Sequence, residues 1–228
     1  MLLLAFDTAT PAVTVALHDG ERALAETVTV DPRRHGELLA PSIAKVLADA
    51  GAAQADLTAV AAGVGPGPYT GLRVGLVTAR VLGRTLGIPV HGVCTLDVIA
   101  HAALPAAGGE EFLVAADARR REVYWARYSA SGVRLHGPEV GRPGGISGAA
   151  SSPVAGQGGI LYPDAFGKPL GVTYPSASVL ARMVAGRVSP QQEAGEKPVP
   201  FPDLLAPEPL YLRRPDARVP GPPKRVTR

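Results

Sequence analysis

Short apolar runs alternate with longer amphipathic stretches along the first hundred residues, and this alternation predicts strands and helices in turn. Residues 2–6 read as a buried strand and 12–17 as a second, with Asp19-Gly20 as the hairpin turn into a third over roughly 22–30. After Asp31-Pro32, the residues Leu38, Leu39, Ile43, Val46 and Leu47 fall on one face of a helix that Gly51 would stop. Pro41 sits inside that helix, where it bends it or marks its first turn. Residues 57–64 then read as a buried strand, 70–86 as a long helix closed by Gly87, 88–93 as a strand and 95–104 as a helix. Strands alternating with helices imply a parallel segment of sheet.

The pattern then begins again. Residues 112–116 form an apolar run, and Ala115-Ala116-Asp117 matches Ala5-Phe6-Asp7, each Asp closing a strand. In each half the returning strand opens six residues later, at Val13 or Val123, which makes a weak internal repeat of strand, Asp turn and strand. Residues 143–153 are Gly/Ser-rich and read as a loop, Val154 and the glycines that follow as a strand with a tight turn, and 176–188 as a helix. From Pro190 onward there are ten prolines in 39 residues, too many for continuous regular structure, although Pro209-Leu210-Tyr211-Leu212-Arg213 carries enough apolar surface to dock on the body. The expected organisation is a half over residues 1–104, a smaller, contracted half over 105–189, and a Pro-rich, basic tail over 190–228. Two duplicated βββαβα-type halves with an Asp at the first hairpin of each form the α/β layout of the actin, sugar kinase and Hsp70 (ASKHA) superfamily, in which the two turns face each other across an ATP cleft.

Composition narrows this picture. A hydrophobic content of 46% over 228 residues supports one good core or two small ones. Asp7 interrupts the apolar start after six residues and no basic stretch precedes it, so neither a leader nor a membrane span is expected there, and no later apolar run approaches spanning length. The single cysteine, Cys94, leaves no internal disulfide and suits a reducing cytoplasm. The net charge of +3 hints at nucleic acid, but residues 213–228 hold six basic side chains against Asp216 alone, which leaves the body slightly acidic. Contact with RNA is therefore expected through the tail or not at all.

The chemistry begins with the stretch Gly65-Pro66-Gly67-Pro68-Tyr69-Thr70-Gly71-Leu72-Arg73-Val74-Gly75, which joins a strand to a helix as phosphate loops do. Pro66 and Pro68 have no N–H to offer an anion, the glycine spacing misses the dinucleotide fingerprint by one residue, and no Gly-Lys-Ser/Thr follows. Asp7, Thr8, Gly65, Gly67 and Asp117 thus occupy the positions of a degenerate phosphate site. Asp7-Thr8-Ala9-Thr10 is a passable phosphate turn, whereas Asp117 is followed by Ala118 and three arginines, whose bulk would fill the phosphate side or whose charge would meet an anion. No metal ligand set emerges: His35 and Glu37 lie two apart, Leu39 stands four beyond His35, and no two histidines have i, i+4 spacing. Cys94 precedes a helix, the setting of a nucleophile as well as of an inert buried thiol. No catalytic residue is assigned. On the helix over 70–86, Gly71, Gly75, Ala79 and Gly83 form a ridge of small residues that would let either a partner helix or the protein's own sheet approach, while Arg73, Arg80 and Arg84 gather opposite.

On these residues the chain resembles the TsaB (YeaZ) family, the dimerisation subunit of the bacterial machinery that places threonylcarbamoyl on the adenosine beside the tRNA anticodon. The resemblance rests on Phe6-Asp7-Thr8-Ala9-Thr10; His35, Glu37, Leu38, Leu39 and Pro41; the loop from Gly65 to Gly75; Thr95-Leu96; Asp117-Ala118-Arg119 with Glu122-Val123-Tyr124; and Tyr211-Leu212-Arg213. It implies a noncatalytic relative of the catalytic subunit TsaD that shares its fold without its metal-binding histidine pair. It further implies a heterodimer with TsaD through the two helices of the first half, with TsaE joining, a homodimer in isolation, and ATP and a metal ion held by partner subunits. The partner face would then involve Leu38, Leu39, Ile43, Leu72, Gly75, Leu76, Ala79 and Gly83, and tRNA would be met indirectly or through the basic tail. The family places such a protein in the cytoplasm. Two other functions stay open: an ATP-dependent small-molecule kinase using Asp7 and Asp117, and an endopeptidase acting on a partner, with an exposed Cys94 or an unmatched serine as its nucleophile.

Overall fold

The computed structural model describes residues 1–188 and 201–213. Strands β1 (Leu3–Asp7), β2 (Ala12–His18) and β3 (Ala23–Val30) form an antiparallel meander, followed by helix α1 (His35–Asp49), β4 (Ala59–Gly63), α2 (Tyr69–Leu86), β5 (Val90–Val93) and α3 (Thr95–Ala107). The meander turns at Asp19, whose carboxylate accepts the N–H groups of Glu21 and Arg22, each at 2.8 Å. The first sheet has the order β3-β2-β1-β4-β5, with β1–β4 and β4–β5 parallel. Gly87 ends α2 in the left-handed conformation at φ 67, where its lack of a Cβ removes the steric penalty. Pro41 lies within α1 on its exposed side.

The second half repeats the plan in shorter form. Strands β6 (Phe112–Asp117), β7 (Val123–Tyr128), β8 (Arg134–Gly141) and β9 (Val154–Ala155) form a sheet of order β8-β7-β6-β9. Asp7 pairs with Thr14 across the first hairpin and Asp117 with Val123 across the second, so the repeat of strand, Asp turn and strand is structural. As β1 pairs in parallel with β4, β6 pairs in parallel with β9, which is only two residues long. This is the ASKHA fold with a contracted second half. A short helix α4 (Gly158–Leu161) and α5 (Ala177–Val188) complete the ordered elements, and β8, built on the uneven run Arg-Leu-His-Gly-Pro-Glu-Val-Gly, is one that the hydrophobic pattern did not announce.

Alternation along the strands sends side chains to two layers on each sheet. On the first sheet Leu4, Phe6, Val13, Val15, Val60 and Ala62 meet α1 and α2, while Leu3, Ala5, Ala59 and Ala61 meet α5 and Val98 of α3. On the second sheet Phe112, Val114, Tyr124 and Tyr128 pack on Leu96, Ile99, Ala100 and Ala103 of α3. Helix α3 therefore serves both cores, and α5 leaves the second half to cover β1 and β2 of the first. The division at residue 104 separates the sheets, whereas the helices interlock the two lobes. Pro209–Arg213 docks on the body as its apolar content suggested, with Leu210 touching both cores, and the docked segment extends back to Phe201. The rest of the expected tail, including Arg214, Arg218, Lys224, Arg225 and Arg228, lies outside the described residues.

Candidate functional site

Because β1 and β6 both end in an Asp turn and the lobes stand side by side, the two turns face each other. Between them lies a cleft of about 200 Å³ lined by Thr8, Thr10, Arg33, His35, Asp117 and Arg119 among others. That volume is below the roughly 300 to 1,000 Å³ of ordinary small-molecule sites. The reason lies in how the first turn and the glycine loop fit together.

Asp7 points away from the cleft and is 1% exposed. Its Oδ1 accepts the Ala9 N–H at 2.7 Å and its Oδ2 accepts the Thr95 hydroxyl at 2.7 Å. Thr95 is tied in turn to the glycine loop, its Oγ1 accepting the Gly65 N–H at 3.1 Å and its own N–H donating to the Gly65 carbonyl at 2.7 Å. Burial raises the Asp7 carboxyl above its ordinary range, with the Thr95 and Ala9 hydrogen bonds and nearby His35 opposing that rise. The carboxylate joins turn, loop and α3, with each of its oxygens engaged inside the protein.

The loop glycines share this purpose. A Cβ on Gly67 would collide with the Ala9 carbonyl, one on Gly71 with the Thr8 carbonyl, and one on Gly75 with Thr8 Oγ1. Thr8 Oγ1 donates to the Gly71 carbonyl at 2.8 Å. Loop and turn thus lie backbone to backbone, at a distance only glycine allows. His35 is buried, and its Nε2 donates to the Thr10 carbonyl at 2.8 Å, whereas Glu37 points outward to Arg34 at 2.8 Å. Among the described residues no cluster of three or more His, Cys, Asp and Glu side chains is placed to hold a metal ion.

In the second turn Asp117 accepts the Arg119 N–H at 2.8 Å, and the Arg119 guanidinium lies 3.4 Å from its other oxygen. Arg119, Arg120 and Arg121 all take left-handed backbone, with φ of 62, 55 and 62, a conformation unfavourable to side chains with a Cβ and held here by surrounding bonds. Arg213 supplies two of those, donating to the Ala118 carbonyl at 3.0 Å and pairing with Glu122. Cys94 is 1% exposed, and burial together with nearby Asp97 pushes its thiol up to about 12, which leaves it uncharged and inert at neutral pH.

The small-residue ridge resolves inward. Leu72, Gly75, Leu76, Ala79 and Gly83 are buried against the first turn and the sheet, Gly83 at Val90 and Gly75 at Thr8, and Leu39 and Ile43 of α1 are buried in the same core, with Leu38 packed at its margin. These residues were expected to meet a partner; their side chains are spent on the protein's own sheet, because the small ridge is what lets α2 lie so close to it. The outward surface of the two helices is a different set. Val77 and Val81 on α2 are 54% and 57% exposed, flanked by Tyr69, Arg73, Arg80 and Arg84, and α1 alongside exposes Ala40, Ala44 and Ala48. The arginine side of α2 was visible in the sequence, whereas the exposed apolar stripe was missed; the i, i+4 pair of valines between those arginines is the signal that could have found it.

The family model "TsaD: tRNA N6-adenosine threonylcarbamoyltransferase" matches residues 24–152. An uncharacterized protein from Mycobacterium leprae, ML0378, is 46% identical over 95% of this chain and 56% of its own length. The tRNA threonylcarbamoyladenosine biosynthesis protein TsaB of Escherichia coli is 39% identical over 56% of this chain and 55% of its own. The chain thus spans about half the length of these curated relatives. Among solved structures, YeaZ from Pseudomonas aeruginosa superposes with a TM-score of 0.69 at 33% identity, over 82% of this chain and 91% of that one. A turn-and-loop arrangement that buries its own carboxylate, joined to these likenesses, identifies the chain as a member of the TsaB/YeaZ family.

Proposed function

We propose that this chain is a noncatalytic subunit in tRNA threonylcarbamoyladenosine formation, which binds TsaD and by contact holds it in the conformation that transfers threonylcarbamoyl to the adenosine beside the anticodon. The observation that carries this reading is the exposed apolar stripe of Val77 and Val81 beside Ala40, Ala44 and Ala48, on a molecule whose first turn is packed against its own glycine loop. ATP and a metal ion would belong to partner subunits, TsaE would join the pair, and tRNA would be met through TsaD or through the basic tail. In isolation the same helical face would pair two copies of the chain, since a surface suited to a homologous partner is suited to its own copy by pseudo-symmetry.

A kinase function would need Asp7 turned into the cleft, against its bonds to Thr95 and Ala9, and peptidase chemistry at Cys94 would need a thiolate that burial suppresses. The test is reconstitution of the modification with TsaD, TsaE, ATP, threonylcarbamoyl donor and unmodified tRNA. Activity is expected only when this chain is added and is expected to survive Cys94→Ala. Transfer by this chain without TsaD would overturn the proposal.

A further inference from the structure

Residues 201–213 contain almost no regular structure, yet they are anchored at several points on both lobes. The segment starts at the end of α5, where Arg187 donates to the Phe201 carbonyl and lies 3.6 Å from Asp203, and the Phe201 ring lies 5.6 Å from that of His101 in α3. It then runs along the edge of β5, where Leu205 and Gly92 exchange both backbone hydrogen bonds at 2.8 Å. The Leu210 N–H donates to the Val64 carbonyl at 2.8 Å, directly before the glycine loop. The Leu210 side chain packs against the cores of both lobes at once. Tyr211 stacks on Tyr69 at the first residue of α2, with centroids 5.5 Å apart, and Arg73 covers the other end of that pair at 5.1 Å from the Tyr69 ring. Leu212 belongs to the second core, and Arg213 fastens the Ala118–Glu122 turn.

We infer that residues 201–213 act as a clamp that fixes the angle between the lobes and ties the second-lobe turn to the start of α2. The anchors are of different kinds and lie on both sides of the cleft: a strand pairing at β5, an apolar wedge between the cores, a ring stack at α2 and a charge-assisted fork on the turn. A segment that merely lay on the surface would have no reason to bond to both lobes. The left-handed run Arg119–Arg121 needs external support, and Arg213 provides it from the same segment that holds α2. Where the fold is built from two lobes joined at a cleft, closure by hinge motion is the natural freedom of the molecule. This chain has spent a segment on removing it. For the partner-binding reading above, a fixed angle presents the α1–α2 face in one orientation; that consequence rests on that reading, whereas the clamp itself does not.

The clamp is tested on the full chain alone. Lys45, exposed on α1, and Ile160, 61% exposed on α4 of the other lobe, are replaced by cysteine and spin-labelled, with buried Cys94 left unlabelled. Pulsed dipolar distances are compared among this background, Arg213→Ala and Tyr211→Ala, together with amide hydrogen exchange. The expected result is one narrow distance distribution that broadens in both variants. Exchange at Leu210 and Glu122 should become about tenfold faster, while the Leu205–Gly92 pair and β1 keep their protection. An unchanged distribution with unchanged exchange at Leu210 in both variants would overturn the clamp. Loss of protection throughout β1 would also overturn it, since the segment would then be part of the global fold and not a fastening between lobes. Because no partner is present, the outcome is independent of whether TsaD binds.

Discussion

Asp7 closes β1 at the first turn, and three neighbours bury its carboxylate. Thr95, the Ala9 N–H and the absent side chain of Gly63, where a Cβ would overlap the carboxylate, together convert an exposed acid into a buried fastening. Burial raises its pKa in the folded state, so the folded protein holds that proton more tightly than the unfolded chain does. Its contribution to stability is therefore greatest at acid pH and is lost as pH rises through and beyond the ordinary carboxylate value. Asp7→Asn, which removes this titration, is expected to gain stability relative to the unmodified chain as pH is raised from about 4 to about 7, measured by urea denaturation across that interval. Stability differences that stay parallel across the interval would show that Asp7 is held ionised by its hydrogen bonds. The sequence placed Asp7 at a turn but could not reveal the direction of its side chain, because Thr95 lies 88 residues away and only the packing of α3 brings it there.

At the scale of elements, the meander, the two long helices of the first lobe and the opening of the second lobe were legible because each has a clean period and a turn or cap residue at its end. Strand β8 was not, since Gly137-Pro138 interrupts its alternation, and the path of 201–213 was not, since its partners are scattered over both lobes. Helix α2 shows where pattern runs short. It is apolar on one face through Leu72, Leu76, Ala79 and Leu82 and again on the other through Val77 and Val81, so the sequence could not decide which face looked inward. The structure decides it by steric fit, since only the glycine side can approach Thr8 and Val90. This has a direct consequence for mutagenesis. Ala79→Arg places an unpaired charge at a fully buried site and is expected to cost about 4 kcal/mol or more, enough to threaten the fold. Val81→Arg, on the open face, is expected to change stability by less than about 0.5 kcal/mol. Thermal unfolding followed by circular dichroism separates the two, and a stable Ala79→Arg protein would contradict the inward assignment of the ridge.

Taken whole, the molecule sets two lobes side by side with their Asp turns facing each other across a cleft of only about 200 Å³. The first turn is filled by the glycine loop, the second is held by Arg213, and α3, α5 and residues 201–213 cross between the lobes. Among the described residues no helix is long and apolar enough to cross a membrane. Among the described residues the outer side of α1 and α2 exposes Val77 and Val81 beside small alanines, and the proposed function places the contact with TsaD there. The measurement that tests it most directly is the mass, by light scattering, of this chain mixed with TsaD of the same organism, with and without Val81→Arg. A one-to-one complex that Val81→Arg abolishes, while the variant alone keeps its melting temperature, is the predicted result. Failure of the unaltered chain to bind TsaD, or a complex indifferent to Val81→Arg and Val77→Glu alike, would contradict it.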